Sequence, residues 1–249
     1  MNEMTMTAET ERPPVTEILR CLDAAYGQRT WKPIHTPLDE LILTILSQHT
    51  SDINSERAFR ELRRRFPTWE AVRRAPVRDV ADAIRSGGLA EQKAPRIQEA
   101  LDHILSQGTE TDWSHALNTL PLSEAKARLT ALPGVGPKTA ACVLLFACDR
   151  PALPVDTHVF RVSRRLGLIE PSVTPEQAHD RLEQLLRPED VYSFHLNMIA
   201  HGRRVCTGRK PRCDRCPLGT WCEFARGQIS GQSSDITVIT SVQRGNDGN

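Results

Sequence analysis

Two residues in the second half of the chain have types and positions suited to covalent chemistry. Lys138 follows a glycine-containing turn at the start of a predicted helix, and Asp156 stands where Pro154 predicts the next loop-to-helix junction. An uncharged lysine amine is a nucleophile that can form a Schiff base, and a nearby carboxylate can stabilise positive charge or move protons. Taken singly, the lysine also fits a solvated surface charge and the aspartate a helix N-cap.

The turn before the lysine has the composition of an anion-binding site. Residues 132–139 read LPGVGPKT, in which Gly134 and Gly136 let the backbone turn sharply and leave N–H groups uncovered. Pro137 suits the first position of a helix, whose N-terminus then directs partial positive charge outward. Such a turn can bind a phosphate through its backbone. An ordinary connection between two helices gives a similar short pattern, so the glycines alone do not decide the function.

Four of the seven cysteines lie close together near the C-terminus. Their spacing is Cys206-x6-Cys213-x2-Cys216-x5-Cys222. Clustering of this kind in a reducing compartment indicates a metal site rather than disulfides. Tetrahedral zinc and a [4Fe–4S] cluster both take four thiolates, and the spacing alone leaves the two balanced. The other cysteines fall in predicted helices and read as small buried hydrophobic residues; they are Cys21, Cys142 and Cys148.

Basic side chains concentrate around the cysteine loop, although the net charge of the chain is only +1. Six basic residues there oppose the single acid Asp214, and they are Arg203, Arg204, Arg209, Lys210, Arg212 and Arg215. A solvated cationic loop is the plain interpretation. The uneven distribution favours a DNA-binding face, with Arg209, Lys210 and Arg212 directed at phosphates.

Three strings together resemble the endonuclease III family of DNA glycosylases: LPGVGPKTA, VDTH at 155–158, and the cysteine spacing. The resemblance extends over about residues 15–227. It implies a helix-hairpin-helix whose Gly134 and Gly136 contact DNA phosphates, and a [4Fe–4S] cluster on the four cysteines. It also implies that Lys138 attacks the deoxyribose C1′ and that Asp156 assists. Pro137 departs from the family, which often has a basic residue there.

The resemblance also suggests how a damaged base is reached. Residues 47–50 (SQHT) resemble the family's S-x-Q-x-T region in a slightly altered register, which makes Gln48 the expected gap-filling side chain. Leu89, after two glycines, resembles the wedge leucine. A surface polar residue and a packed loop hydrophobe are their plain interpretations. His158 either places the DNA or is a structural helix residue, and Lys93 is expected to contact a phosphate.

The predicted function is base-excision repair by a bifunctional glycosylase. It would remove oxidised pyrimidines and cleave the resulting abasic site by β-elimination through a lysine Schiff base. The alternatives are a mismatch (thymine or uracil) or pyrimidine-dimer glycosylase of the same superfamily, and a non-catalytic iron–sulfur DNA-binding module. The expected partner is double-stranded DNA with damaged bases or abasic sites, bound by a monomer.

The elements that must position these residues are predicted to be helices. Aromatic residues are only 5% of the chain, whereas Ala, Leu, Arg and Glu are common, which favours helix over sheet. No apolar run is long enough to span a membrane, and the N-terminus has no secretory signal. A cytoplasmic, nucleoid-associated location is therefore expected.

The predicted fold class is all-α, with two helical domains flanking a DNA-binding groove. One domain is a helical barrel over 33–150 that contains the helix-hairpin-helix at 124–147. The iron–sulfur cluster domain joins 15–32 to 151–227. Residues 1–14 and 228–249 are predicted to be disordered tails.

Overall fold

The structure is a computed structural model that describes residues 13–227. The two predicted tails therefore lie, except for residues 13 and 14, outside the described residues. The described part is helical and contains no strand, which confirms the predicted all-α fold class. No helix within it is both long and apolar enough to cross a bilayer.

Helices follow one another along the whole described chain. The first six α-helices are α1 (Val15–Tyr26), α2 (Pro37–Ser47), α3 (Asp52–Arg65), α4 (Trp69–Arg74), α5 (Val77–Ala83) and α6 (Ala90–Leu105). The next six are α7 (Glu110–Thr119), α8 (Leu122–Thr130), α9 (Pro137–Cys148), α10 (Thr157–Leu166), α11 (Pro175–Glu183) and α12 (Val191–Arg204). Short 3-10 turns occupy Arg85–Gly87, Pro188–Asp190, Cys213–Arg215 and Gly219–Trp221.

Helix α7 lacks the apolar periodicity that would predict a helix from the sequence. Its N-terminus carries a capping box between Thr109 and Asp112, but only Trp113 and Leu117 are buried along it. A single apolar pair at i and i+4 is too short a repeat to mark a helix by periodicity.

The first hydrophobic core is built around α2. Leu38, Leu41, Ile42 and Ile45 are all at most 1% exposed, and α2 packs against α9 and α3. Most of the surface of α2 is apolar, and the neighbouring helices bury that apolar surface. This packing places the end of α2 beside the turn that precedes α9.

The second hydrophobic core joins the N-terminal helix to the C-terminal helices. Ile18 and Leu22 of α1 pack with Phe194 and Met198 of α12 in one buried cluster. The two cores meet at α9, since Leu144 belongs to the first and Leu145 to the second. The bounds of the two predicted domains stay a prediction.

Candidate active site

Lys138 and Asp156 lie on the walls of one cleft of about 410 Å³. The cleft is enclosed by α2, α3, α9 and α12 together with the start of α10. Its volume is within the range of clefts that bind small organic groups. The structure thus brings together the two residues that the sequence singled out, although they belong to different helices.

Lys138 is the second residue of α9, directly after the glycine turn. Gly134 has a φ of +74°, a left-handed conformation that glycine adopts without strain. The N-cap residue Gly136 provides no side-chain cap, and both glycines are exposed. Uncapped backbone N–H groups at the start of α9 are therefore open to an anion from outside.

Asp156 is the N-cap of α10 and also a wall of the cleft. Its Oδ1 accepts hydrogen bonds from the backbone N–H of His158 at 2.8 Å and of Val159 at 2.7 Å. Among residues 13–227 no hydrogen bond reaches Oδ2. One oxygen therefore fixes the carboxylate while the other remains available to a substrate, so the capping role does not exclude a catalytic one.

His195 of α12 is a cleft residue that the sequence did not reveal. The ring is 2% exposed and its Nδ1 lies 2.9 Å from the carbonyl oxygen of Pro154. Since a carbonyl only accepts, Nδ1 carries the hydrogen. Burial lowers the pKa of His195 to about 4, so the ring is neutral. A lone histidine in an apolar helix gives no sequence signal, because most such residues are core residues.

Glu40 of α2 is a second cleft residue that the sequence did not reveal. Burial raises the pKa of its carboxyl group to about 7, while the Thr44 hydroxyl, which donates to Oε1 at 3.2 Å, and the positive charge of Lys138 oppose the rise. On α9, burial likewise raises the pKa of the Cys142 thiol to about 11. The Glu40 carboxyl and the Cys142 thiol are therefore two partly dehydrated acidic groups in the same cleft as Lys138.

Two loops are expected to contact the DNA at the damaged base. One follows α2 and the other precedes α6. The Gln48 side-chain amide donates to the carbonyl oxygen of Gly134 at 3.3 Å, which links the end of α2 to the glycine turn. His49 and Leu89 are exposed and have left-handed backbones, with φ of 55° and 52°. Leu89 is 46% exposed, more than a packed core residue would be.

The expected phosphate contact of Lys93 is wrong. Its side chain is only 2% exposed, and its amine donates to the carbonyl oxygens of Leu46 at 2.7 Å and Gly87 at 2.9 Å. Burial lowers the pKa of Lys93. Through these two hydrogen bonds the buried lysine links the end of α2 to the turn before Leu89. Its amine is therefore not available to a DNA phosphate.

His158 is a residue of α10 and packs against α12. Its ring Nδ1 lies 3.1 Å from the Arg161 guanidinium, and its Cβ would be 2.9 Å from a Cβ added at Gly202. Arg161 also donates to the carbonyl oxygens of Gly202 and Cys206. These contacts give His158 a structural environment; a contact with DNA stays a prediction.

The four clustered cysteines line a single cavity at the C-terminal end of the second core. Its walls also include apolar residues of α10 and the His201 ring. Arg165 donates to Cys206 Sγ at 3.3 Å, and His201 Nε2 lies 3.6 Å from Cys216 Sγ. Four thiols around one apolar cavity are a donor set that fits an iron–sulfur cluster. Within the described residues, no three His, Cys, Asp or Glu side chains are grouped as for a single metal ion.

The other three cysteines do not line the walls of this cavity. Cys142 and Cys148 are buried, as expected for small hydrophobic residues, whereas Cys21 is only partly buried.

The basic loop beside the cavity keeps its charges exposed. Arg209, Lys210 and Arg212 are all solvent-accessible. Arg165 holds the loop backbone by donating to the carbonyl oxygens of Thr207 and Gly208, at 2.7 and 2.8 Å. The loop is thus fixed from inside while its cations face outward, as phosphate binding requires.

Two family models match the chain. Residues 42–188 match the HhH-GPD superfamily of base excision DNA repair proteins. Residues 206–222 match the iron–sulfur binding domain of endonuclease III. The second match covers the four cysteines and confirms the predicted [4Fe–4S] cluster over zinc.

Relatives in other organisms are similar over most of the chain. Endonuclease III of Thermotoga maritima is 39% identical over 202 residues, which are 81% of this chain and 89% of the relative. Endonuclease III of Escherichia coli is 33% identical over 189 residues, 76% of this chain and 84% of the relative. A solved non-covalent endonuclease III–DNA complex superposes with a TM-score of 0.72 at 27% identity, covering 87% of this chain and 97% of that one.

The sequence motifs, the shared cleft and the cysteine cavity thus agree with matches that span most of the chain. The chain belongs to the endonuclease III family, within the HhH-GPD superfamily of base excision DNA repair proteins.

Proposed function

We propose that this protein is a bifunctional glycosylase that removes oxidised pyrimidines and then cleaves the abasic site by β-elimination. As a member of its family it is a base-excision repair enzyme of the DNA glycosylase and abasic-site lyase class. The observation that supports the finer proposal is the common cleft of Lys138 and Asp156, beside an uncapped helix N-terminus.

In the proposed reaction the Nζ lone pair of Lys138 attacks C1′ of an extruded nucleotide. The C1′–Nζ bond forms as the bond to the base breaks, and the base departs with the electron pair and takes up a proton. The free Oδ2 of Asp156 stabilises the positive charge that develops on the sugar. The C1′–O4′ bond then breaks, with a proton passing from the attached amine to O4′, and the open sugar is left as a Schiff base that acidifies C2′. Loss of the C2′ proton expels the 3′ phosphate oxygen and cuts the strand.

The same geometry supports a DNA-binding mode. The backbone N–H groups at Gly136 and the start of α9 face one phosphate, and the loop cations Arg209, Lys210 and Arg212 face others. The exposed Leu89 enters the duplex opposite the Gln48 loop while the damaged base rotates into the cleft. The four cysteines would hold the [4Fe–4S] cluster, and their bonds to it would fix the shape of the basic loop. One protein molecule acts per lesion, in the cytoplasm with the nucleoid.

Borohydride trapping tests the proposed chemistry. Duplexes with single lesions, including oxidised pyrimidines, mismatched thymine or uracil and a pyrimidine dimer, are assayed separately for base release and for nicking. We expect the wild type to release oxidised pyrimidines and to form a covalent adduct, and Lys138→Ala to form none. Lys32→Ala, at an exposed lysine away from the cleft walls, is the matched control. An adduct that survives Lys138→Ala contradicts the proposal.

A further inference from the structure

We propose that Glu40 is the acid that protonates the departing base, and that Thr44 orients it. The inference rests on the proposed function and adds a catalytic residue to its first step. Glu40 lies on the same cleft as Lys138 and Asp156, on a helix whose residues are mostly buried.

The cleft-facing side of α2 is mostly polar, with Leu43 its one apolar residue. Glu40, Thr44 and Ser47 lie about one turn apart and all line the cleft, whereas Leu41 and Ile45 on the other sides are fully buried. Core packing does not require a carboxyl group at this position. Glu40 makes no ion pair among the described residues, so it is not held there by a salt bridge.

The hydrogen bonding of Glu40 leaves one carboxyl oxygen open. Thr44, itself 5% exposed, donates from Oγ1 to Oε1 of Glu40 at 3.2 Å. No hydrogen bond from residues 13–227 reaches Oε2. A proton on Oε2 is therefore directed to the contents of the cleft rather than to the protein.

The surroundings keep this proton available near neutral pH. Burial raises the pKa of Glu40 to about 7, and Glu56 adds to the rise while the Thr44 hydroxyl and Lys138 oppose it. The other charged or titratable groups that face the cleft are Cys142 on α9, Asp52 on α3, Asp156 at the start of α10, and His195 and Arg203 on α12. A group that exchanges its proton near the working pH is suited to general acid catalysis.

The proposed step is balanced within the first half of the reaction. As the C1′–N bond breaks, its electron pair moves into the base, and the Oε2 proton moves to a carbonyl oxygen or ring nitrogen of that base. Lys138 forms the new bond to C1′, and Glu40 remains as a carboxylate. Cleavage of an abasic site releases no nucleobase, so no leaving group has to be protonated by Glu40 in that step. Bases that are poor leaving groups depend on the acid most.

The test compares base release with nicking of a preformed abasic site. Glu40→Gln keeps the size of the side chain but has no acidic proton. We expect its single-turnover rate of base release to fall by about 100-fold, while nicking of the abasic site stays within about threefold. Thr44→Val should show a smaller loss confined to base release, with Thr44→Ser restoring it. Glu99→Gln, at an exposed glutamate of α6 that does not line the cleft, is the matched control and should leave both rates unchanged.

The pH profile supplies an independent readout. Wild-type base release should fall as pH rises through about 7, and this limb should be missing in Glu40→Gln. Base release by Glu40→Gln at the wild-type rate overturns the role of Glu40 and leaves the proposed function intact. An equal loss of both activities also overturns it, because a general acid for the base acts only in the first step. If the wild type releases no base and forms no trapped adduct, the proposed function itself fails.

Discussion

The buried amine of Lys93 donates a 2.7 Å hydrogen bond to the carbonyl oxygen of Leu46, at the end of α2. A second bond, of 2.9 Å, reaches the carbonyl of Gly87, two residues before the exposed Leu89. One side chain of α6 thereby fixes both loops that are expected to enter the duplex. Their relative position therefore depends on a side chain that is only 2% exposed.

Replacing Lys93 with methionine should destabilise the protein by about 2 kcal/mol. The variant leaves two buried carbonyl groups without a donor, at a cost of roughly 1–3 kcal/mol for each unsatisfied group, partly offset by removal of a buried charge. Urea unfolding measures the change, with Glu99→Ala at an exposed residue of α6 as the control. A variant as stable as wild type would show that the carbonyls find other partners.

Substitutions at Asp156 should separate helix capping from catalysis. Asparagine is a good N-cap, so Asp156→Asn should keep thermal stability close to wild type, whereas Asp156→Ala should lose about 1 kcal/mol. Both variants lack the carboxylate charge, and their rates of base release should fall by about 100-fold or more. Thermal denaturation and single-turnover assays check the two effects. Full activity of the asparagine variant would mean that Asp156 is only a cap.

The two glycines of the turn should respond differently to alanine. Gly134 has a φ of +74°, and an added Cβ would lie 3.1 Å from Cδ of Arg96, so Gly134→Ala should cost about 1–2 kcal/mol of stability. Gly136 has a φ of −95° and no atom within 4 Å of an added Cβ, so Gly136→Ala should fold normally.

The expected defect of Gly136→Ala is in DNA binding. Its methyl group would stand where a phosphate approaches, and loss of one hydrogen bond to a charged group weakens affinity by about tenfold. Fluorescence anisotropy with an abasic-site duplex measures it. Unchanged affinity would place the phosphate elsewhere.

The buried His195 should make stability depend on mildly acidic pH. Its folded-state pKa of about 4 lies below the ordinary value of 6.5, so the unfolded chain binds the proton first as pH falls. The stability that the neutral His195 contributes is complete above about pH 6.5 and is lost as the pH falls towards 4. In His195→Asn the side-chain amide can donate to Pro154 in the same way. Between pH 7 and pH 4.5 its free energy of unfolding should fall by about 2 kcal/mol less than that of wild type.

Urea unfolding at the two pH values tests this expectation. His103→Asn, at an exposed histidine, is the control and should behave as wild type. Parallel stability losses in wild type and His195→Asn would show that His195 is not the group that titrates.

Much of the candidate site follows from short stretches of sequence. The turn at Gly134, the lysine four residues later, the cap at Asp156 and the cysteine spacing each depend on residues close in the chain. Local backbone rules and ligand spacing therefore predict them, and the structure places Lys138 and Asp156 on one cleft. Helices such as α1 and α3 carry apolar residues at helical spacing over several turns, a pattern that predicts a helix from the sequence alone.

The tertiary structure alone decided which polar side chains are buried and what they face. Lys93 was expected at the DNA and is instead bound to carbonyls, one of which is 47 residues away in the chain. Glu40 and His195 acquire their altered pKa values from helices that pack over them, and nothing beside them in sequence indicates it. Dehydration of a charged group depends on every atom that surrounds it in space. The sequence order of one helix carries little of that information, so these roles became visible only when the helices were assembled.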